Sequence, residues 1–167
     1  MAIRPVLRLP APELKLVAKP VERVDRRAEQ LATDLVDTMR AHSHCVGLAA
    51  PQIGVGLRAF ALDVGDHPKA GSRNGLVVLF DPELLADESP RLGREGCMSV
   101  PDLTGNLARG TRVAVRGIAA DGGVRVIEAD AFEARALLHE LDHLDGLLFL
   151  DRVASPHADL FPRKRYR

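Results

Sequence analysis

The sequence predicts an α+β fold in which small antiparallel or mixed sheets pack around one central helix. Three observations predict it: one helical pattern comes first, several short strand patterns follow, and a second helical pattern comes after them. The strand patterns do not alternate regularly with helices, which argues against a doubly wound parallel sheet. The chain has 167 residues, a length that suits one domain, so we expect residues 1–167 to form a single domain.

The composition is ordinary for a globular chain, with 46% apolar and 28% charged residues. Basic and acidic residues number 23 each, and the formal net charge is +0, so we expect no long-range attraction to DNA or to anionic membranes. The N-terminus has no apolar signal segment, and no stretch approaches the roughly 18 apolar residues of a membrane span. We therefore expect a cytoplasmic protein with no DNA or membrane partner.

The first helix is predicted over residues 24–40, where apolar side chains recur at helical spacing, among them Leu31, Leu35 and Met39. The segment before it contains four prolines in its first twenty residues. Since proline removes a backbone donor and fixes φ, we expect that segment to be extended.

The middle of the chain is predicted to be β-structure. Residues 60–64 and 76–80 are short apolar runs bounded by glycine, aspartate and proline. Residues 112–116 and 124–126 place valines at alternate positions, which is typical of strands with one buried face. Between them, residues 120–123 read Ala-Asp-Gly-Gly, which accepts the positive φ angles of a tight turn. These residues predict a β-hairpin.

A second helix is predicted over residues 131–145, and it carries the sequence His-Glu-Leu-Asp-His, which matches H-E-x-x-H. Residues four apart lie one above the other on a helix, so His139 and His143 can bind a single ion. Glu140 is turned by about 100° from His139, toward the neighbouring part of the fold. The alternative is a pair of surface histidines on a charged helix.

A tetrahedral metal site with two histidines still lacks a protein ligand. Cys97 ends a predicted strand and offers a thiolate, which is a strong metal ligand. Alternatively, Cys97 is simply a small buried apolar residue. The third ligand would then come from a downstream residue such as His157. Small residues dominate positions 45–52 and permit close backbone approach. At the end of that segment, Gln52 can donate to a developing oxyanion or simply face solvent at a turn.

Three segments together resemble the signature motifs of the peptide deformylases: Val-Gly-Leu-Ala-Ala-Pro-Gln at 46–52, Glu-Gly-Cys-Met-Ser at 95–99, and His-Glu-Leu-Asp-His at 139–143. Their order and spacing also fit, and the resemblance covers the chain to about Val153. It implies a peptide deformylase-like fold and a metal-dependent hydrolase. The implied reaction removes the formyl group from the N-terminal formylmethionine of nascent polypeptides and releases formate.

The resemblance also implies the site residues. Cys97, His139 and His143 would bind one divalent ion, with Fe(II) the most effective metal and zinc, nickel or cobalt as possible occupants. Because such an ion lowers the pKa of its water, a hydroxide would exist near neutral pH.

The implied catalytic residues are Glu140, Gln52 and Met98. Glu140 would move the proton, while the Gln52 side chain and the backbone N–H of Met98 would hold the oxyanion. The implied substrate-binding residues are Val46, Gly47, Glu95 and Arg135.

Three positions depart from the family pattern. Cys45 stands where the first motif usually opens with glycine; we expect tighter packing there, with a redox-active or metal-competing thiol as the alternative. Met98 replaces a more usual leucine and nearly conserves its volume. Leu138 precedes the first metal histidine, where glutamine is usual, so we expect a difference in helix packing or in ligand orientation.

The family pattern further suggests an ion pair between Glu95 and Arg109 that braces the strand of the second motif. Arg135 would wall the methionine pocket with its alkyl stem while its head reaches solvent, or it would simply lie on a solvated helix face. We expect Asp142 to be structural.

Two other functions remain open. An H-E-x-x-H metallopeptidase or amidase would cleave internal peptide bonds and keep its metal without Cys97. A non-catalytic, deformylase-like metal-binding protein would need neither Glu140 nor Gln52. Residues 162–167 are basic; we expect a solvated end, with a weak contact to ribosomal RNA as a secondary expectation.

Overall fold

The computed structural model describes residues 2–164. Two main helices and eight strands follow one another along the chain, with one short helix near its end. In order they are α1 (Arg26–Ala41), β1 (Gly47–Ala49), β2 (Ala59–Leu62), β3 (Val77–Glu88), β4 (Arg91–Cys97), β5 (Val100–Arg109), β6 (Arg112–Ile118), β7 (Val124–Asp130), α2 (Ala131–Leu144), α3 (Pro156–Asp159) and β8 (Leu160–Pro162). The predicted α+β class is confirmed.

The strands form a five-stranded sheet in the order β1-β2-β3-β6-β7 and a three-stranded sheet in the order β4-β5-β8. Every strand pair in both sheets is antiparallel. Strand β1 lies at one edge of the larger sheet, and strand β4 lies at one edge of the smaller sheet. Each edge leaves backbone groups available for pairing with another chain.

The five-stranded sheet is covered on both faces at its β1-β2 end. On β2, Phe60 and Leu62 pack with the buried side chains of α2, whereas Ala59 and Ala61 pack with those of α1. All four residues of β2 are buried, which explains why this strand appears in the sequence as a continuous apolar run. Helix α2 is therefore central, as the sequence predicted.

Helix α1 begins two residues later than predicted. The carboxylate of Asp25 caps it by accepting from the backbone N–H groups of Arg27 and Ala28. Such a cap satisfies donors that the first helical turn cannot pair internally. The apolar face predicted from the sequence, with Leu31 and Leu35, is buried.

Strand β3 runs well beyond its predicted end at residue 80. The Asp81-Pro82 pair suggested a stop, but the register shifts between Phe80 and Glu83, so the chain passes through a bulge and pairing resumes. Proline is tolerated at a bulge because no ladder hydrogen bond is needed there. Asp81 adopts a φ of 48°, and its carboxylate accepts from the backbone N–H groups of Val21 and Glu22. The bulge thus ties the extended N-terminal segment to the sheet.

The predicted hairpin between β6 and β7 is confirmed. Ala119 donates its backbone N–H to the carbonyl of Gly123, and Gly122 has a φ of 82°. Within residues 2–164, no helix is long and apolar enough to cross a membrane.

Candidate active site

The three predicted metal ligands meet at one point. Cys97, at the end of β4, places its Sγ 3.3 Å from Nε2 of His143, and that nitrogen lies 3.2 Å from Nε2 of His139. All three ligating atoms lie within 4.8 Å of one another. Two atoms that share a tetrahedral cation at ~2.1 Å are roughly 3.4 Å apart. The separations therefore fit a single shared cation.

The charges around this cluster also favour a cation. Burial alone would raise the pKa of the Cys97 thiol, but the imidazoles of His143 and His139 hold that pKa well below its usual value. Burial likewise opposes the charged form of His139, yet Cys97 and Glu95 raise its pKa well above the usual value. Cys97, His139 and His143 together offer one sulfur and two imidazole nitrogens, a donor set suited to a borderline divalent metal.

Glu95 contacts Nδ1 of His139, the ring nitrogen that does not face the other two predicted ligands. Its Oε1 is 2.8 Å from Nδ1 of His139, and its two oxygens also accept from Nε and an N–H₂ group of Arg109. Burial opposes ionisation, but His139 and Arg109 hold the pKa of Glu95 below its usual range. With a proton on Nδ1, His139 presents the lone pair of Nε2 to the cluster.

The ion pair predicted between Glu95 and Arg109 is confirmed. Substrate binding by Glu95 stays a prediction, and both of its carboxylate oxygens accept from protein donors. Only the tertiary structure reveals this, because the partner histidine is 44 residues away along the chain.

Glu140 is buried beside the cluster, with 4% of its surface exposed. Its Oε2 has no hydrogen-bond partner among residues 2–164. Burial raises the pKa of Glu140 to about 7, against the opposing influence of His139 and His143. A carboxylate with a free oxygen and a pKa near neutrality is suited to accept a proton and to return it.

Gln52 is buried, not solvent-exposed. Its Oε1 accepts from the backbone N–H of Ala49, which fixes the orientation of the amide. Its Nε2 therefore faces the cluster, 3.6 Å from Sγ of Cys97 and 3.2 Å from Oγ of Ser99. Ser99 is a partner that the sequence reasoning missed, although it is part of the second motif. Its complete burial could not be read from one sequence.

These side chains line a cavity of about 220 Å³. One wall is formed by residues 44–47 and Gln52, a second by residues 94–98, and a third by α2. Gly47 is the first residue of β1 and Val46 directly precedes it, and Met98 lies in the tight turn between β4 and β5. The predicted catalytic and substrate-binding positions thus surround one space.

The head of Arg135 is bound by several protein acceptors at the wall of the cavity. Its guanidinium donates to Glu95, to the carbonyl of Leu107 and to the carbonyl of Arg91, and only 13% of the side chain is exposed. It also lies against Gly93, where a Cβ would come within 2.7 Å of Cζ. Arg135 therefore lines the cavity as a fixed, partly buried cation.

Asp142, on the far side of α2, has a structural environment. Its carboxylate accepts from Arg109 and from Arg152. Glu95, Arg109 and Asp142 form a buried chain of alternating charge that joins β4, β5 and α2, and the exposed Arg152 ends it. This agrees with the structural role expected for Asp142.

Two of the three positions that depart from the family pattern, Cys45 and Leu138, are packed. Cys45 packs against the core that contains α1, and its thiol donates to the carbonyl of Gly47 at 3.2 Å. Burial raises the pKa of Cys45 to about 12. Leu138 is 5% exposed and belongs to the core that contains α2. Residue 45 is therefore packed against the core, as expected.

Comparison with known proteins gives one consistent result. Residues 3–159 match the family model described as polypeptide deformylase. The peptide deformylase of Bartonella tribocorum is 39% identical over 165 residues, which cover 98% of this chain and 92% of that protein. A peptide deformylase structure from Legionella pneumophila has a TM-score of 0.84 at 38% identity and covers 93% of this chain and 88% of that one. A class I type b peptide deformylase from Acinetobacter baumannii, solved with Met-Ala-Ser bound, has a TM-score of 0.82 at 34% identity, with coverage of 91% and 99%.

Proposed function

The chain belongs to the polypeptide deformylase family, and from that premise we propose how its own residues carry out the family reaction. The protein is a metal-dependent hydrolase that removes the N-formyl group from nascent peptides. Water adds to the formyl carbon, the C–N bond breaks, and the products are formate and a free α-amino group.

Cys97, His139 and His143 would hold the metal, and Glu95 would orient His139 from behind. The donor set and the 3.2–3.3 Å separations support this role. We propose Fe(II) as the native ion, with zinc, nickel or cobalt as alternatives. When bound, the ion would supply Lewis acidity, which lowers the pKa of the attacking water.

Glu140 would accept the proton from the attacking water at Oε2 and later deliver it to the leaving nitrogen. Its burial, its unpartnered oxygen and its raised pKa support both steps, because each protonation state is accessible near neutral pH. This free carboxylate oxygen beside three converging ligands is the single observation that carries the proposal.

Gln52 Nε2 and the backbone N–H of Met98 would donate to the oxyanion that forms at the formyl oxygen. The amide of Gln52 is oriented by Ala49 before any substrate binds. A donor fixed in advance needs no reorganisation during the reaction, and each such donor is worth on the order of 3 kcal/mol.

The formylated peptide would enter as an added strand along the edge of β1, with backbone pairing to Val46 and Gly47. The methionine side chain would occupy the part of the cavity next to Arg135. The Met-Ala-Ser complex of the Acinetobacter baumannii relative supports a methionine-first ligand. We place the enzyme in the cytoplasm, where nascent chains emerge. The proposed ribosome contact by residues 162–167 falls partly on residues 165–167, which lie outside the described residues.

Formate release from formyl-Met-Ala-Ser tests the proposal, measured with metal content for wild type, Glu140→Ala and the exposed-surface control Glu29→Ala. We expect Glu140→Ala to retain its metal and to lose about 10²–10⁴-fold in rate, while Glu29→Ala matches wild type. Cleavage of internal peptide bonds would indicate the metallopeptidase instead. Absence of formate from metal-loaded wild type would indicate a binding protein. Metal analysis of anaerobically purified protein tests the assignment of Fe(II).

A further inference from the structure

The mouth of the active-site cavity carries positive charge on two arginines, Arg94 and Arg163. Neither belongs to the motifs that indicate the chemistry. Both reach the mouth from the three-stranded sheet, whose edge strand β4 faces the edge of β1 across the cavity. A peptide that leaves the metal between these two edges must pass the arginines.

Arg94 is exposed, yet its position is held by three contacts. Its Nε donates to Oδ1 of Asn106 at 2.7 Å, and a terminal nitrogen donates to Oγ1 of Thr104. Its Cζ lies 3.7 Å above the centre of the Phe161 ring, a favourable cation–π arrangement. The charge is therefore fixed beside the cavity rather than distributed over many rotamers.

Arg163 lies much further along the sequence than Arg94. It directly follows β8, and its backbone N–H donates to the carbonyl of Asp102. Its guanidinium lies against Gly96, so closely that a Cβ at position 96 would collide with a terminal nitrogen and come within 3.1 Å of Cζ. The small residue next to the metal-site cysteine thus makes room for this arginine at the cavity.

Within residues 2–164, neither guanidinium forms a salt bridge with a carboxylate. The carboxylates that line the cavity are Glu95 and Glu140, and both are buried. Glu95 is already neutralised by Arg109 and Arg135. The mouth is therefore cationic even though the whole chain has a formal net charge of +0.

We propose that Arg94 and Arg163 form a subsite that favours formylated peptides with aspartate or glutamate at the second and third residues. The inference rests on the proposed function, since it assumes that the peptide leaves the metal between β1 and β4. A fixed cationic mouth above a low-dielectric cavity raises the local concentration of anionic ligands and speeds their association.

The test compares three C-terminally amidated substrates: formyl-Met-Asp-Asp, formyl-Met-Lys-Lys and formyl-Met-Ala-Ser. Amidation removes the terminal carboxylate, which would otherwise bind the same arginines. At low ionic strength we expect kcat/KM to be about tenfold higher for the acidic than for the basic peptide, and this ratio should fall toward one at high salt. A wild-type ratio within twofold of one at low salt would overturn the inference. That outcome would also be the one expected if the two arginines bind RNA instead of the peptide.

Arg163→Glu should bring the ratio to one or below, and Arg94→Gln should reduce it. Arg125→Glu is the matched control, because it changes the net charge equally but lies on β7, at the opposite edge of the larger sheet from β1. Both peptides are assayed with the same preparation of each variant. A misfolded fraction therefore lowers both values of kcat/KM equally and leaves their ratio unchanged. An unchanged ratio in Arg163→Glu would refute the subsite. Turnover of formyl-Met-Ala-Ser separately tests the proposed function, so the two can fail independently.

Discussion

Gly47 lies directly against the side chain of Glu140. A Cβ at position 47 would come within 2.9 Å of Cδ and 3.1 Å of Cγ of Glu140, and it would collide with Oε1. The carboxylate that we propose as the proton carrier therefore depends on the absence of a side chain on the facing strand.

Gly47→Ala should for this reason displace Glu140 and lower kcat/KM by about 10²-fold, the loss typical of a ~1 Å misplacement of a catalytic group. Formate release and metal content check this. Gly56→Ala is the control, because nothing lies within 4 Å of a Cβ built at that position. Equal rates for the two variants would contradict the positioning of Glu140 by Gly47.

Glu95→Gln should weaken metal binding by roughly 10–100-fold, because the group that orients His139 loses its charge. The affinity can be measured by competition with a chelator, with the exposed Glu128→Gln as control. Unchanged affinity would show that Glu95 does not act through His139. A raised KM without loss of metal would instead support the substrate-binding role predicted for it.

Arg109→Leu should lower the free energy of unfolding by about 3–5 kcal/mol, since it removes the buried cation that Glu95 and Asp142 share. Urea denaturation of the metal-loaded protein measures the change. The control is Arg116→Leu, which removes an ion pair whose partners are 49% and 61% exposed and should cost less than about 1 kcal/mol. Similar losses in both variants would argue against a stabilising buried charge chain.

Cys45 should be an unreactive thiol. Burial raises its pKa from 9.0 to about 12, and only the thiolate is nucleophilic. Its labelling by DTNB in metal-loaded protein should therefore keep rising about tenfold per pH unit up to pH 10, with no plateau near 9. Cys45→Ala supplies the background from Cys97. Rapid labelling at pH 7 would instead support the redox-active alternative.

Much of the site could be predicted from the sequence because its chemistry is carried by short local patterns. The spacing of His139 and His143 places both imidazoles on one helix face, and this holds in any fold that keeps the helix. The hairpin around residues 120–123 is likewise set by local backbone preferences. The predicted end of β3 at residue 80 was wrong because pairing with β6 outweighs the local effect of Pro82.

By itself, the sequence determined which side chains could perform the chemistry and which of them share a helix. The tertiary structure alone decided that Glu95 pairs with His139, that the guanidinium of Arg135 is held by Glu95 and two backbone carbonyls, and that Arg163 lines the cavity. These relationships join residues on different strands and helices. Such contacts are selected by the burial and pairing of whole elements, and no local pattern in the chain encodes them.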